Sequence, residues 1–323
     1  MDEDCLVLVR PRPGEDTIRT EDIRETIRKE GETIALVMLS GVQYYTGQKF
    51  QMDLITREGQ AVGAKVRVFY TSASIVKNFR LVGTSPMQWA TCPCTSTNGE
   101  STLLSGAPTN ISTGAFSKIS MQLESFPSGA GGIGGAFVHA RHHLAMPSHL
   151  QGWWSNSQET RFEMRDHVDP APGAESFRLC NPPPWLAALN LASLEIFEEA
   201  GMEAILAKQH LLTGYLEALL NTRLAGKLKI ITPFDPEQRG CQLSLVFNCD
   251  LNQVKSSETE LLNAVQHEKQ KKQVHSRIEK RGVVCDVRLP NAMRIAPAPL
   301  YNSFNDVLDF VLILQEALNF CAA

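Results

Sequence analysis

Arginine, asparagine, tyrosine and tryptophan recur in this chain beside backbone that proline or glycine stiffens. Arg294 heads the run Arg294-Ile-Ala-Pro-Ala-Pro-Leu-Tyr-Asn-Ser303. A guanidinium on such a strand-like run can form a bidentate pair with a carboxylate, although a surface arginine fits the same pattern. Asn181 precedes prolines in Arg178-Leu-Cys-Asn-Pro-Pro-Pro184. A residue before proline is pushed out of the α region, so an amide fixed there can read one ligand group. Trp153 and Trp154 follow Gly152 in a polar stretch. A buried indole N–H needs an acceptor, but core packing or an interface would use the pair equally well. Tyr45 lies in Gly41-Val-Gln-Tyr-Tyr-Thr-Gly-Gln48, directly after the apolar run 33–39. In open α/β sheets ligands gather at the carboxyl ends of strands, where a phenol can donate to a phosphate. An aromatic lid over the core is the alternative.

Other motifs carry less. Gly129, Gly131 and Gly134 match the dinucleotide fingerprint in spacing, yet they lead into a strand-like Ala136-Phe-Val-His139. That fingerprint must open a helix whose N-terminus meets the pyrophosphate, so these glycines are read as a permissive turn. His139, His142 and His143 have no carboxylate at metal-binding spacing, and Cys92-Pro-Cys94 has no second pair. No metal site is expected. The eight cysteines are scattered, as in a protein with reduced, cytosolic thiols.

The elements that must hold these residues follow a strand–helix–strand rhythm. The run 6–9 reads as a buried strand. Thr20 can cap a helix that carries Ile23 and Ile27 and ends at Gly31. The continuously apolar 33–39 reads as a strand covered on both faces. A helix over 51–61 and a strand over 66–70 follow, which argues for a mainly parallel α/β sheet. Over 91–128 the pattern stops: fourteen Ser or Thr residues stand among thirty-eight, and the span reads as irregular. A helix over 185–201 should bury Leu186, Leu189, Ala192, Leu194 and Ile196, and a second helix should run from Met202 to about Leu220. A second unit begins near Lys229-Ile-Ile-Thr-Pro233, with Leu243, Leu245 and Phe247 facing inward from an antiparallel strand. The last helix starts near Ser303, with Asp306 completing a capping box. The span 255–274 is rich in Gln, Lys and Glu and reads as a surface insertion. At 323 residues the chain can hold a large and a small domain. Its net charge of −4 gives no footprint for nucleic acid. No apolar run is long enough to span a bilayer, and the acidic start resembles neither a signal nor a transit peptide.

Many collinear pieces resemble kynureninase, over roughly residues 10–64 and 128–320 apart from 255–274. They include Leu39-Ser-Gly-Val-Gln-Tyr-Tyr-Thr-Gly-Gln48, Gln151-Gly-Trp-Trp154, Phe177-Arg-Leu-Cys-Asn-Pro-Pro183, Leu211-Leu-Thr-Gly-Tyr-Leu-Glu217, Arg239-Gly-Cys-Gln-Leu243, Glu279-Lys-Arg-Gly-Val-Val-Cys-Asp286 and the Arg294 run. The resemblance implies a fold-type-I pyridoxal-phosphate (PLP) enzyme, a cytoplasmic homodimer. Its large domain over 1–225 would be a truncated, mainly parallel sheet, diverging over 65–128. Residues 226–323 would form a small α+β domain with the 255–274 insertion. The implied activity is hydrolysis of L-kynurenine or 3-hydroxykynurenine to anthranilate or 3-hydroxyanthranilate and L-alanine, in tryptophan catabolism and NAD biosynthesis. Tyr45 would bind the cofactor phosphate, Trp153 and Asn181 would contribute to the pocket across the dimer interface, and Arg294 would take the substrate's α-carboxylate.

Two family motifs are not matched. The family's Asp that pairs with the pyridinium nitrogen falls on Tyr70, and its neighbouring His on Ala73. Counting back from Gly129, the Schiff-base lysine falls on Glu124, and a carboxylate cannot form an imine. Lys118 is the nearest lysine upstream. The chain's start aligns part-way into the family's large domain. The resemblance is therefore to a truncated or aberrantly spliced member, and a catalytically inactive fragment or paralogue is the alternative.

Overall fold

The computed structural model describes residues 6–69, 103–105, 119–120, 136–138, 152–178, 180, 181, 183–247, 271–289 and 291–322. Helix α1 (Thr20–Glu30) buries Ile23 and Ile27, one turn apart, and ends at Gly31, whose φ of 53 favours glycine. Thr20 is its first helical residue rather than its cap. Arg19 takes the cap position, and no side chain caps it. Strand β1 (Leu36–Ser40), helix α2 (Met52–Ala61) and strand β2 (Lys65–Phe69) form a βαβ unit, with Leu36 paired to Lys65 and Ser40 to Phe69. β3 (Leu103–Ser105) continues the sheet in parallel, β4 (Ile119–Ser120) lies apart, and β5 (Ala136–Val138) closes the first sheet antiparallel, in the order β1-β2-β3-β5. Three of the four strands are thus parallel, as the rhythm of the sequence implies. β3 and β4 are regular pieces inside the span expected to be irregular.

Ile23, Ile27, Val37, Phe50, Met52, Ile55 and Ala64 join β1 to its two helices. Glu58 of α2 clasps both Arg24 and Arg28 of α1. Two expectations fail here. Leu36 and Met38 are about half exposed, because alternate residues of β1 point away from both helices and no described residue covers them. Residues 6–9 form no strand. Leu6, Val7 and Leu8 are exposed and only Val9 packs on the cluster, since no described strand pairs with this segment.

Helix α3 (Pro184–Ala200) forms as its pattern predicts, with proline in its first turn. Its apolar side is not buried: Trp185 is 83% exposed, Leu189 58% and Ile196 56%. α3 packs on α4 (Met202–Arg223), and among the described residues nothing shields that stripe.

The second unit is a four-stranded antiparallel sheet, ordered β6 (Leu228–Ile230), β7 (Leu243–Phe247), β10 (Ala292–Ile295), β9 (Asp286–Arg288). β8 (Val283–Val284) runs parallel to β4 instead. Leu243, Leu245 and Phe247 face inward as their alternation predicts. They meet Leu212, Leu216, Leu220 and Leu224 of α4 and Val307, Phe310, Val311 and Leu314 of α6 (Phe304–Ala322). The core of this unit therefore draws on residues before 226. The capping box of α6 is present in both directions: Ser303 N donates to Asp306 Oδ2 at 2.8 Å and Asp306 N to Ser303 Oγ at 3.2 Å. Helix α5 is described over 271–280 and corrects the far end of the supposed insertion, because Lys271 and Val274 are buried in it. No helix among the described residues is long and apolar enough to cross a membrane.

Candidate active site at the junction of the two units

The loop that leaves β1 is where the two units meet. It folds back through Gln43 N donating to Gln48 O at 2.7 Å and Gly47 N to Gln43 O at 2.8 Å. Gly47 has φ 76, and a Cβ there would stand 3.3 Å from Gln242 O, Gln242 Nε2 and Thr232 Oγ1. Both the turn and the close approach require glycine. The antiparallel sheet grips this loop through Thr232 Oγ1 to Thr46 O at 2.6 Å, Gln242 Nε2 to Tyr44 O at 3.2 Å and backbone Lys49 N to Gln238 O at 2.8 Å. Beneath the grip, buried Arg239 forms a forked ion pair with Glu217 at 2.9 and 2.6 Å and donates to Pro233 O at 3.1 Å.

Two of the sequence-singled residues come together here. Arg294, 6% exposed, donates Nη1 to Tyr44 O at 2.9 Å, and its Nη2 pairs with Asp286, its cross-strand neighbour in the β9–β10 register. Arg288 shares the same carboxylate at 2.9 Å. Burial pushes the Arg294 guanidinium down to about 10, so it stays charged at neutral pH. Burial lifts Asp286 above its ordinary value, against the pull of Arg288. The Tyr45 hydroxyl donates to Asn291 Oδ1 at 2.6 Å, and burial holds the phenol above its ordinary value, in its donor form. Asn291 and Asp286 were not given a role from the sequence. The strand register that opposes Asp286 to Arg294 is the signal that could have found the pair.

Trp153 and Asn181 stand on the surface. Trp153 is 48% exposed, and its indole N–H donates to Arg161 O at 2.8 Å within its own loop. Asn181 is exposed. Among the described residues no hydrogen bond or ring contact joins either to Tyr45 or Arg294. Glu124, Lys118, Tyr70, Ala73, the glycine run 129–134, the three histidines and Cys92-Pro-Cys94 lie outside the described residues. No metal-binding group of His, Cys, Asp and Glu exists among the described residues.

A family model described as the kynureninase C-terminal domain matches residues 261–314. The kynureninase of Mus musculus is 38% identical over 98% of this chain and 60% of its own length. That of Homo sapiens is 37% identical over 98% and 59%, and that of Myxococcus xanthus 37% over 97% and 62%. The chain thus spans about 60% of the length of the relatives it matches. Among solved structures, a cysteine desulfurase of Thermococcus onnurineus superposes with a TM-score of 0.65 at 14% identity, over 95% of this chain and 65% of that one. The enzyme C-DES, in a form with glycine covalently linked to its PLP cofactor, gives 0.62 at 15% identity, over 91% and 63%. These likenesses show the fold-type-I architecture.

Proposed function

The chain is kin to the kynureninases along nearly its whole length, and from that premise we propose that it serves the kynureninase reaction. In that reaction L-kynurenine or 3-hydroxykynurenine is hydrolysed to anthranilate or 3-hydroxyanthranilate and L-alanine. The chain would act as a cytoplasmic homodimer with pyridoxal phosphate as the family's cofactor, in tryptophan catabolism and NAD biosynthesis. The observation that carries the reading is Arg294: a charged guanidinium, walled from water, set where the loop after β1 meets the antiparallel sheet.

Arg294 takes the substrate's α-carboxylate in this reading. Asp286 stands in for that carboxylate, holding Nη2 as a ligand oxygen would. Binding requires Asp286 to share or yield that edge, with Arg288 keeping it compensated. Tyr45, kept protonated by burial, offers its O–H to a phosphate in exchange for Asn291. Trp153 and Asn181, both exposed and not bonded to this pair among the described residues, would serve the site of the partner subunit.

The donor set fits the cofactor on its anionic side alone. On the aldehyde side, counting back from Gly129 along the sequence puts Glu124 at the amine's position, and a carboxylate forms no imine. That residue favours a second reading, in which the chain is an inactive subunit that keeps the substrate grip. Incubation with PLP and L-kynurenine separates the two. Anthranilate fluorescence, together with a borohydride-fixed label on one lysine, supports hydrolysis. Kynurenine binding without either supports the inactive subunit.

A further inference from the structure

The loop 152–178 holds a buried guanidinium that has no counter-charge among the described residues. Arg161 is 7% exposed and lies with Cζ 4.3 Å over the ring of Trp154. Its Nη2 donates to Asn156 O at 3.1 Å. Among the described residues its Nε has no partner, and neither has Trp154 Nε1, although both atoms are buried. Of the acids in the loop, Glu159 is exposed and forms no ion pair among the described residues, and the other four are engaged elsewhere. Glu163 and Asp169 pair with Arg165, Asp166 with His167, and Glu175 with Arg178. The indole face beneath Arg161 attracts its charge, but a ring face does not accept the N–H donors that lie in the guanidinium plane. Burying a charge and two donors without acceptors is strongly unfavourable, so the pair is built to receive an acceptor.

We propose that Arg161 and Trp154 form a binding subsite for a small free oxyanion, a phosphate or a carboxylate, taken by the guanidinium edge and the indole N–H together. One positive charge with two unpartnered donors, on a guanidinium and the ring it lies over, matches a compact anion that carries several acceptor oxygens. Trp153 and Phe162, in edge contact with ring centroids 5.3 Å apart, stand 48% and 71% exposed beside it and give the subsite a border with solvent. The subsite uses neither Tyr45 nor Arg294 and does not rest on the kynureninase reading.

Calorimetric titration of the full chain with sodium phosphate, and separately with sodium acetate, at fixed ionic strength against chloride tests this. The expected result is saturable binding of at least one of the two ions at one site. Arg161→Gln weakens it about tenfold or more, the loss of a charged donor. Trp154→Phe keeps a ring under the guanidinium, removes only the N–H, and weakens it about fivefold. Circular dichroism identical to the parent's certifies that each variant is folded, and Trp154→Phe carries the test if Arg161→Gln does not fold. Phosphate binding without acetate assigns a phosphate, and acetate binding without phosphate assigns a carboxylate. No saturable heat with either ion overturns the proposal, as does binding that survives both substitutions unchanged. Dissociation of a dimer by Arg161→Gln, with no anion bound by the parent, would mean that a second copy supplies the counter-charge, and also overturns it.

Discussion

Asp286 sets what Arg294 can do. A guanidinium this buried survives because a carboxylate neutralises it, and removing one member of such a pair leaves an uncompensated charge indoors. Asp286→Asn should destabilise the chain by about 3 kcal/mol, read as a lower urea midpoint with an unchanged m-value. An unchanged midpoint would mean that Arg294 is better solvated than its 6% exposure indicates. Cysteine chemistry separates by the same logic of burial. Burial pushes the Cys241 thiol up to about 12 and raises Cys285 further, while Cys180 is exposed. Of these three, Cys180 alone should alkylate with iodoacetamide in the native state, with the other two reacting after denaturation, as peptide mass spectrometry would show. Arg294 and Tyr45 were each legible in the sequence as polar groups on stiffened backbone. Their joining was not, because the bond from Arg294 to Tyr44 O closes a separation of 250 residues, and no local spacing encodes that.

Local chemistry made the elements legible where it is complete within a few residues. The Ser303–Asp306 box and the glycine end of α1 are of this kind. Burial was less legible, because it depends on a partner that the element's own period does not name. α3 has the apolar spacing of a buried helix yet no buried residue, while α4, with less evident patterning, places Leu212, Leu216 and Leu220 in the main core. Leu216→Ala should therefore cost about 2–5 kcal/mol, whereas Trp185→Ala should stay within about 0.5 kcal/mol, both measured by chemical unfolding. A large loss at Trp185 would show that the stripe on α3 is covered in solution. The clasp between α1 and α2 gives a pH signature. Hydrogen bonds from Arg28 and Arg24 hold the Glu58 carboxyl below its ordinary value. A depressed acid contributes stability that is full above its unfolded pKa and is lost as pH falls through its folded one. The gap in Tm between the parent and Glu58→Gln should thus be widest near neutrality and close below the ordinary carboxylate range. A gap independent of pH would assign Glu58 a packing role only.

The molecule as a whole joins a mainly parallel sheet, open on one described face, to an antiparallel sheet with a well-filled core. Their junction carries the one buried guanidinium that the kynureninase reading assigns to substrate. Hydrolysis and the inactive alternative differ over the amine that meets the cofactor, but both require this junction to recognise an α-amino acid by its carboxylate. The most direct test compares the affinity of the purified chain for L-kynurenine with its affinity for the amine left when kynurenine loses that carboxylate. The account predicts that the decarboxylated compound binds about tenfold or more weakly and that Arg294→Gln erases the difference. Equal affinity for the two compounds in the parent chain would contradict it.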